Sequence, residues 1–370
     1  MQVDADGSSV PVKRPLCVDL DGSLVKSDTL LDALCQLLRQ RPLALLRAPL
    51  WLRGGRAGVK REAARLAPLD PSYLPYNSKL LDYLRIEHSS GRALYLATGA
   101  DGELAARIAA HLNLFQGVLA TDPTTNLTRE RKLRRLQERF GEFDYVGNSR
   151  ADLVLLEHAR HAMIANPTLG LRMALNARNI AVQHAFLDRQ PVSRAVLQAL
   201  CVQQWWKNLL LFVPLLLTRR FTPHAISATV IAFFSFNFMA SAGCLIEGLL
   251  NIESDRRDPA QRLRPFAAGD LAVTSGFALA AILFLVSCIL LVLLPEVFAL
   301  WLGLFVAAGI LHTLCFKHTP ILNVLLVAGL YTLRLPAAGA ATGTVVPYWL
   351  AAFAAFLFLL LAMIGRFREH

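Results

Sequence analysis

Two carboxylates stand two residues apart in Val18-Asp19-Leu20-Asp21-Gly22-Ser23-Leu24. Residues i and i+2 of an extended segment point the same way, so one carboxylate can attack phosphorus while the other protonates the leaving oxygen. Gly22 permits a sharp exit from the strand. A simple turn would also explain Asp-x-Asp-Gly, so the residues that follow give the motif its weight. Thr98 closes the apolar run Leu94-Tyr95-Leu96-Ala97, where a hydroxyl can hold a phosphoryl oxygen. Lys132 sits in the basic run Arg129-Glu130-Arg131-Lys132-Leu133-Arg134-Arg135 and can neutralise a phosphoaspartate, although such a run also reads as a solvated helix face. Gly147-Asn148-x-x-x-Asp152 follows Asp144-Tyr145-Val146 and offers oxygen ligands suited to Mg²⁺.

A second set lies further along. Gln204-Trp205-Trp206-Lys207-Asn208 opens an apolar segment, and Glu247, Asn251 and Asp255 follow at i, i+4 and i+8. That spacing predicts one helix stripe at the cytosolic membrane surface. Asp255-Arg256-Arg257-Asp258-Pro259 and Arg262-Leu263-Arg264-Pro265 continue it. Acids and bases mixed at a membrane surface suit a Mg²⁺-bound diphosphate; the plain alternative is a snorkelling loop.

The elements that must position the first set alternate. Leu16–Leu20, Arg92–Ala97, Gly117–Ala120, Asp144–Val146 and Ala162–Ala165 read as short strands. Thr29–Leu52 and Val59–Leu66 read as amphipathic helices, with a loop at Asp70–Tyr76 and a helix reaching Leu112. Such alternation predicts a parallel sheet with helices on both faces and a site at the strands' carboxyl ends.

From Leu209 onward the composition changes to apolar runs broken by short polar loops, which sets a domain boundary near residue 195. The whole chain of 370 residues is 55% hydrophobic with a mean hydropathy of +0.43, and this second half carries the excess. Six segments approach bilayer length: Val196–Leu217, His224–Ile246, Leu271–Leu294, Val297–Phe316, Ile321–Gly343 and Val346–Ile364. Lys207 interrupts the first. With the amino terminus inside, Arg256, Arg257, Arg262, Arg264, Lys317, Arg366 and Arg368 all face the cytosol, while Arg219 and Arg220 break the rule. The net charge of +11 therefore points to membrane topology and phosphate binding. No aromatic-interleaved basic stripe indicates nucleic acid. The polar stretch Met1–Pro15 lacks an apolar core, so no cleaved signal is expected, and the six scattered cysteines read as reduced packing residues. The expected location is the inner, cytoplasmic membrane, multi-pass, with the N-terminal domain cytosolic.

The first set resembles the haloacid dehalogenase superfamily, whose four motifs it matches in order over about residues 15–170. The resemblance implies a Rossmann-like α/β domain over residues 1–195 with a small helical cap at about 29–90. Asp19 would be the nucleophile and Asp21 the general acid/base, with Thr98 and Lys132 on the phosphate. Asp19, the Asp21 carbonyl and Asp152 would hold Mg²⁺. Asn148 stands where many members carry Asp, which reduces the charge offered to the metal.

The second half resembles the UbiA prenyltransferase family, closest to members that look like polyprenyl-phosphate phosphoribosyltransferases. The likeness rests on Gln204-Trp205-x-Lys207-Asn208, Glu253-x-Asp255-Arg256-x-x-Pro259, Arg262-x-Arg264-Pro265-Phe266-Ala267-Ala268-Gly269, Lys317-x-x-Pro320 and Leu330-Tyr331-Thr332-Leu333-Arg334. It implies an all-α transmembrane bundle over 196–370 acting on a polyprenyl phosphate or diphosphate and a phosphorylated sugar. Lys207, Asn208, Arg256, Arg262, Arg264, Lys317, Asn323, Tyr331 and Arg334 would bind substrate, and Glu247, Asn251 and Asp255 would hold Mg²⁺.

The departures concentrate in the metal motifs. The family's Asn-Asp-x-x-Asp-x-x-x-Asp is Glu247-Gly248-x-x-Asn251-x-x-x-Asp255 here. Asp258 replaces a His, Gln261 a Lys, Asn323 an Asp and His312 a Tyr. About six helices stand against the family's nine, so a C-terminal truncation is expected, with a homo-oligomer supplying the missing wall. Two functions follow: a transferase whose phosphatase domain trims the lipid product, or a phosphatase whose membrane half is an anchor or lipid-binding module. A transporter has only His312 and Arg334 behind it.

Overall fold

The computed structural model describes residues 14–121, 129–219, 221–313 and 320–367. The described chain divides into two compact units. One holds the residues up to Val192 together with Leu250–Val273; the other holds Ser193–Leu249 and the residues from Thr274 on.

The first unit is built on a six-stranded sheet in the order β3-β2-β1-β4-β5-β6, comprising β1 Leu16–Val18, β2 Leu94–Asp101, β3 Gly117–Thr121, β4 Asp144–Gly147, β5 Ala162–Ala165 and β6 Val182–Phe186. All pairs are parallel. β1 is central and buried at every residue, as a strand covered on both faces must be. Alternation splits its side chains between two cores. Leu16 and Val18 pack with Leu80, Leu84 and Ile108 on one face, and Cys17 packs with Leu136, Leu156 and Leu171 on the other. From β1 the chain proceeds outward through β2 and β3, then returns to β4 on β1's other side. The crevice at the carboxyl ends of β1 and β4 is therefore a topological switch point, where ligands of such sheets bind.

Three local expectations change. The stretch read as one helix over Thr29–Leu52 is broken into an α-helix Thr29–Gln40, a 3₁₀ segment Pro42–Arg47, a single α turn Ala48–Trp51 and a 3₁₀ turn Leu52–Gly54. Pro42 explains the break, since the residue before proline is pushed from the α region and Arg41 sits at φ −143°, ψ 61°. β2 continues through Thr98 to Asp101, so Thr98 lies inside the strand. β6 is an added edge strand with three exposed residues in five, which left no apolar run to read.

Among the described residues of the second unit three helices are long and apolar enough to cross a membrane: Pro223–Leu250, Val273–Leu291 and Val324–Thr342. A pair bent by 44°, Val192–Ala199 with Val202–Thr218, makes a fourth if counted as one span. Glu296–Leu311 and Tyr348–Leu361 are shorter apolar helices. Among the described residues, the six runs expected from hydropathy correspond to three or four full spans and two shorter apolar helices. The second span also ends differently. Its helix stops at Leu250, Asn251 leaves helical geometry at φ −100°, ψ 6°, and a separate helix runs Ile252–Arg257. Glu247, Asn251 and Asp255 therefore do not share one continuous helix stripe.

Candidate active site

Asp19 follows β1 directly, and its backbone N–H donates to the Val146 carbonyl of β4 at 3.0 Å. Lys132 reaches it from the helix Arg129–Phe140. The Lys132 Nζ lies 2.7 Å from Asp19 Oδ1 and 3.9 Å from Asp152 Oδ1. Along that helix Lys132, Leu133 and Leu136 are buried while Arg131, Arg134 and Arg135 are exposed. The lysine thus belongs to the inward face of an otherwise solvated charge run.

Tyr145 completes this cluster, and sequence reasoning missed it. Its hydroxyl accepts from Lys132 Nζ at 2.6 Å and donates to Asp152 Oδ1 at 3.0 Å. Burial pushes the phenol well above its usual range, so it stays protonated. A signal did exist in the strand's period of two, which puts Tyr145 and Gly147 on one face. A Cβ at Gly147 would lie 2.9 Å from Tyr145 Cε1 and 2.7 Å from Asp152 Cβ, so glycine makes room for both. The other oxygen of Asp152 accepts from the Ser149 N–H at 3.1 Å and the Ser149 hydroxyl at 2.8 Å.

Asp21 is held differently. Its Oδ1 accepts from the Thr29 N–H at 2.9 Å and the Thr29 hydroxyl at 2.8 Å, which fixes the carboxyl at the start of the helix Thr29–Gln40. Gly22 adopts φ +79°, and a Cβ there would collide with the Asn148 side chain at 1.9 Å. Glycine is therefore required both for the turn and for the approach of Asn148. Thr98 is fully buried, and its hydroxyl accepts from the Ala100 N–H at 2.9 Å while keeping its own proton to donate.

Electrostatics separate the two acids. Burial raises Asp19 to about 6, opposed by Lys132 and reinforced by Asp152. Burial, then the neighbouring Asp28, raises Asp21 to about 7. Both buried carboxyls are thus raised toward neutrality, the range in which a carboxyl pair can supply a carboxylate and a proton together. Asp19 and Asp152 together exceed the single charge of Lys132. With the Asn148 carboxamide and the Asp21 carbonyl they would offer oxygen donors of the kind Mg²⁺ takes, with water completing its shell.

Beside Asp21 opens a cavity of about 170 Å³. The helices Thr29–Gln40 and Gly55–Leu66 contribute Thr29, Ala33, Lys60 and Ala63, and Asp101 and Arg107 close the rim. Its wall is apolar and its rim carries both signs of charge.

In the second unit Lys207 Nζ donates to the Tyr331 hydroxyl at 2.6 Å. Asn208 Nδ2 donates to Asn237 Oδ1 at 2.6 Å, while Asn208 Oδ1 accepts from the Arg334 guanidinium. That guanidinium also lies over the rings of Phe236, Phe305 and Tyr331. Lys207, Asn208, Tyr331 and Arg334 therefore converge in one cluster. Lys317 and the Asn323 side chain fall outside the described residues.

Comparison with known proteins bears on this half. The UbiA prenyltransferase family matches residues 209–369. The uncharacterized protein y4nM of Sinorhizobium fredii is 34% identical over 360 residues, which cover 96% of this chain and 70% of that protein. The chain belongs to the UbiA prenyltransferase family. A decaprenyl-phosphate phosphoribosyltransferase of Corynebacterium glutamicum is 33% identical over 189 residues, and the nodulation protein NoeC of Azorhizobium caulinodans is 30% identical over 165. Those matches cover 49% and 45% of this chain, and 57% and 54% of the relatives, so the chain spans just over half the length of each. Among solved structures, a Salmonella enterica serovar Typhi HAD family hydrolase aligns at a TM-score of 0.34 and 13% identity, covering 46% of this chain and 66% of its own.

The UbiA-type loop Leu250–Val273 packs within the first unit. Arg256 is buried, its guanidinium 2.8 Å from Asp32 Oδ2 and donating to the Ser27 hydroxyl and the Ala267 carbonyl at 3.0 Å each. Lys26 pairs with Asp270 at 3.6 Å. Gly269, at φ +71°, passes so near the chain that a Cβ would stand 2.7 Å from Lys26 Cβ. Asp255 is buried and pairs with Arg264 at 3.1 Å, while Arg262 is exposed. Glu247 is half-buried near the end of its helix. Asn251 is buried with neither side-chain polar atom hydrogen-bonded. Among the described residues no three of His, Cys, Asp or Glu gather to hold a metal. The residues of the UbiA-type metal motif therefore do not fit a Mg²⁺ site as arranged here, with Asp255 and Arg256 committed to ion pairs.

Proposed function

We propose that this UbiA-family membrane protein is a phosphomonoesterase working through Asp19, with a membrane unit that binds a polyprenyl phosphate. The observation that carries it is the Lys132 ammonium 2.7 Å from Asp19 Oδ1. The arrangement resembles a haloacid dehalogenase-type site, drawn from four separated motifs at the carboxyl ends of the strands.

Asp19 attacks phosphorus, the bond to the leaving oxygen breaks, and Asp21 gives that oxygen its proton. Asp21, now a carboxylate, takes a proton from water. The water oxygen attacks the phosphoryl group on Asp19, releasing inorganic phosphate and restoring the carboxylate. Thr98 donates to a phosphoryl oxygen, and Lys132 balances charge on Asp19 throughout. Mg²⁺ held by Asp19, Asp152, the Asn148 carboxamide and the Asp21 carbonyl would neutralise charge on the phosphoryl group. The cavity beside Asp21, lined by charges of both signs and about 170 Å³ in volume, suits a small hydroxylated leaving group such as the sugar of a phosphorylated sugar.

The membrane unit supports the lipid half of the reading. Lys207 and Arg334 bring two cations together around Tyr331, and an anionic headgroup would balance them. The same pair, with the named activity of the Corynebacterium relative, favours a second reading in which phosphoribosyl or prenyl transfer persists. The ion-paired Asp255 and Arg256 weigh against it. Positive charge in the loops supports a cytoplasmic membrane location with the first unit cytosolic.

The test uses the full chain in detergent with p-nitrophenyl phosphate and Mg²⁺. Hydrolysis that Asp19→Asn abolishes supports the phosphatase. Labelled phosphoribosyl diphosphate with polyprenyl phosphate tests the second reading, and a lipid-linked product would revive it.

A further inference from the structure

The segment joining the two helices beside the cavity shows a surface of unusual composition. Between Asp32 and Glu62 the chain has no acidic residue and seven cations: Arg39, Arg41, Arg47, Arg53, Arg56, Lys60 and Arg61. Within it, Pro42–Arg47, Ala48–Trp51 and Leu52–Gly54 form a chain of tight turns. In the two 3₁₀ pieces residues three apart eclipse one another, and with the single α turn between them burial sorts the segment into an inward and an outward side. Leu45, Ala48 and Trp51 make the inward side and pack on the unit's core. Leu43, Leu46, Pro49 and Leu52 make the outward side, and the three leucines are 76%, 75% and 63% exposed. Arg41, Arg47 and Arg53 stand beside it, also exposed, with Leu50 among them.

An anchored inner side fixes the backbone, so the outer leucines are presented rather than mobile. Core packing does not require them. Large aliphatic side chains with arginines along their edge are the composition of an interfacial membrane segment: the leucines enter the acyl boundary and the arginines meet lipid phosphates. We infer that Pro42–Gly54 is a membrane-surface insertion loop that seats the phosphatase unit on an anionic bilayer. Charge complementarity selects an anionic lipid surface over an uncharged or basic protein groove, because Arg41, Arg47 and Arg53 edge the leucines with no carboxylate within the segment to balance them. The chain's apolar spans already confine the unit to the bilayer's vicinity, so modest intrinsic affinity suffices. The loop connects the two helices that line the cavity beside Asp21, which would bring that cavity to a phosphate carried by a lipid. The surface itself does not depend on the phosphatase reading.

The experiment uses the full chain reconstituted into vesicles, with an environment-sensitive fluorescent amino acid at position 46 and shallow spin-labelled lipids as quenchers. Vesicles of phosphatidylcholine alone are compared with phosphatidylcholine containing about one third phosphatidylglycerol. The expected result is blue-shifted emission quenched by the lipid label, at least about twofold more strongly in the anionic vesicles and weakened by salt. Leu43→Asp with Leu52→Asp should abolish the quenching, and Arg41, Arg47 and Arg53→Gln should abolish its dependence on anionic lipid. The same probe at exposed position 138, on the helix Arg129–Phe140, should remain unquenched. Water-like emission from position 46 in both vesicles would overturn the inference. So would blue-shifted emission that the lipid label cannot reach, since a protein or a second copy would then cover the loop.

Discussion

Replacing Arg256 separates its two roles, diphosphate ligand or structural lock. Its side chain is 5% exposed and its partner Asp32 is 1% exposed, with 2.8 Å between guanidinium and carboxylate. Asp32 Oδ1 already lacks a hydrogen-bond partner, and Oδ2 otherwise relies on the Ser27 hydroxyl at 2.6 Å. Arg256→Met thus strands a buried carboxylate, which costs about 3–5 kcal/mol for a pair broken on one side. Replacing both partners with apolar residues, Arg256→Met with Asp32→Leu, should recover much of that loss because no charge stays buried alone. Pulse proteolysis of the full chain in urea, read at the phosphatase unit, measures each variant. A change within about 0.5 kcal/mol for Arg256→Met, the cost of an exposed ligand, would refute the lock.

Further outcomes follow from the site. In Mg²⁺-limited buffer, phosphatase activity should rise as pH climbs through about 6, where Asp19 ionises, and fall beyond about 7, where Asp21 loses its proton. Added Mg²⁺ should move the first limb to lower pH by favouring the Asp19 carboxylate. Both acids are raised by folding, so the folded unit binds more protons than the unfolded chain. Metal-free stability is therefore fully present below the ordinary carboxylate range and is lost as pH rises through about 7, measurable by thermal unfolding. Tyr145→Phe leaves Lys132 and Asp152 without their bridge, and should weaken Mg²⁺ about 10–100-fold by calorimetric titration, as loss of a ligand-orienting partner does. Lys207→Met and Arg334→Met should each weaken polyprenyl phosphate binding in detergent while leaving hydrolysis of a soluble ester unchanged.

What the sequence disclosed depended on how local each signal was. Asp19 and Asp21 were legible because strand period and a following glycine are encoded within four residues. Lys132 was legible by its order along the chain alone, because its inward direction depends on how one helix meets the sheet. Tyr145 looked like an ordinary strand aromatic, and only the space left at Gly147 marks it out. The break at Arg41-Pro42 follows from proline's steric rule and was overridden by hydrophobic periodicity on either side. The allegiance of Leu250–Val273 could not be read locally. Its bond from Arg256 to Ser27 spans 229 residues, and the same charges satisfy a positive-inside loop equally well.

The central claim is covalent chemistry at Asp19. The most direct measurement is acid-quenched peptide mass spectrometry of the full chain after mixing with acetyl phosphate and Mg²⁺, using Asp21→Asn to slow hydrolysis of the phosphoenzyme. Phosphate is expected on Asp19, and its absence is expected after chelation of the metal. Turnover that continues in Asp19→Asn, or phosphate found on another residue, would contradict it.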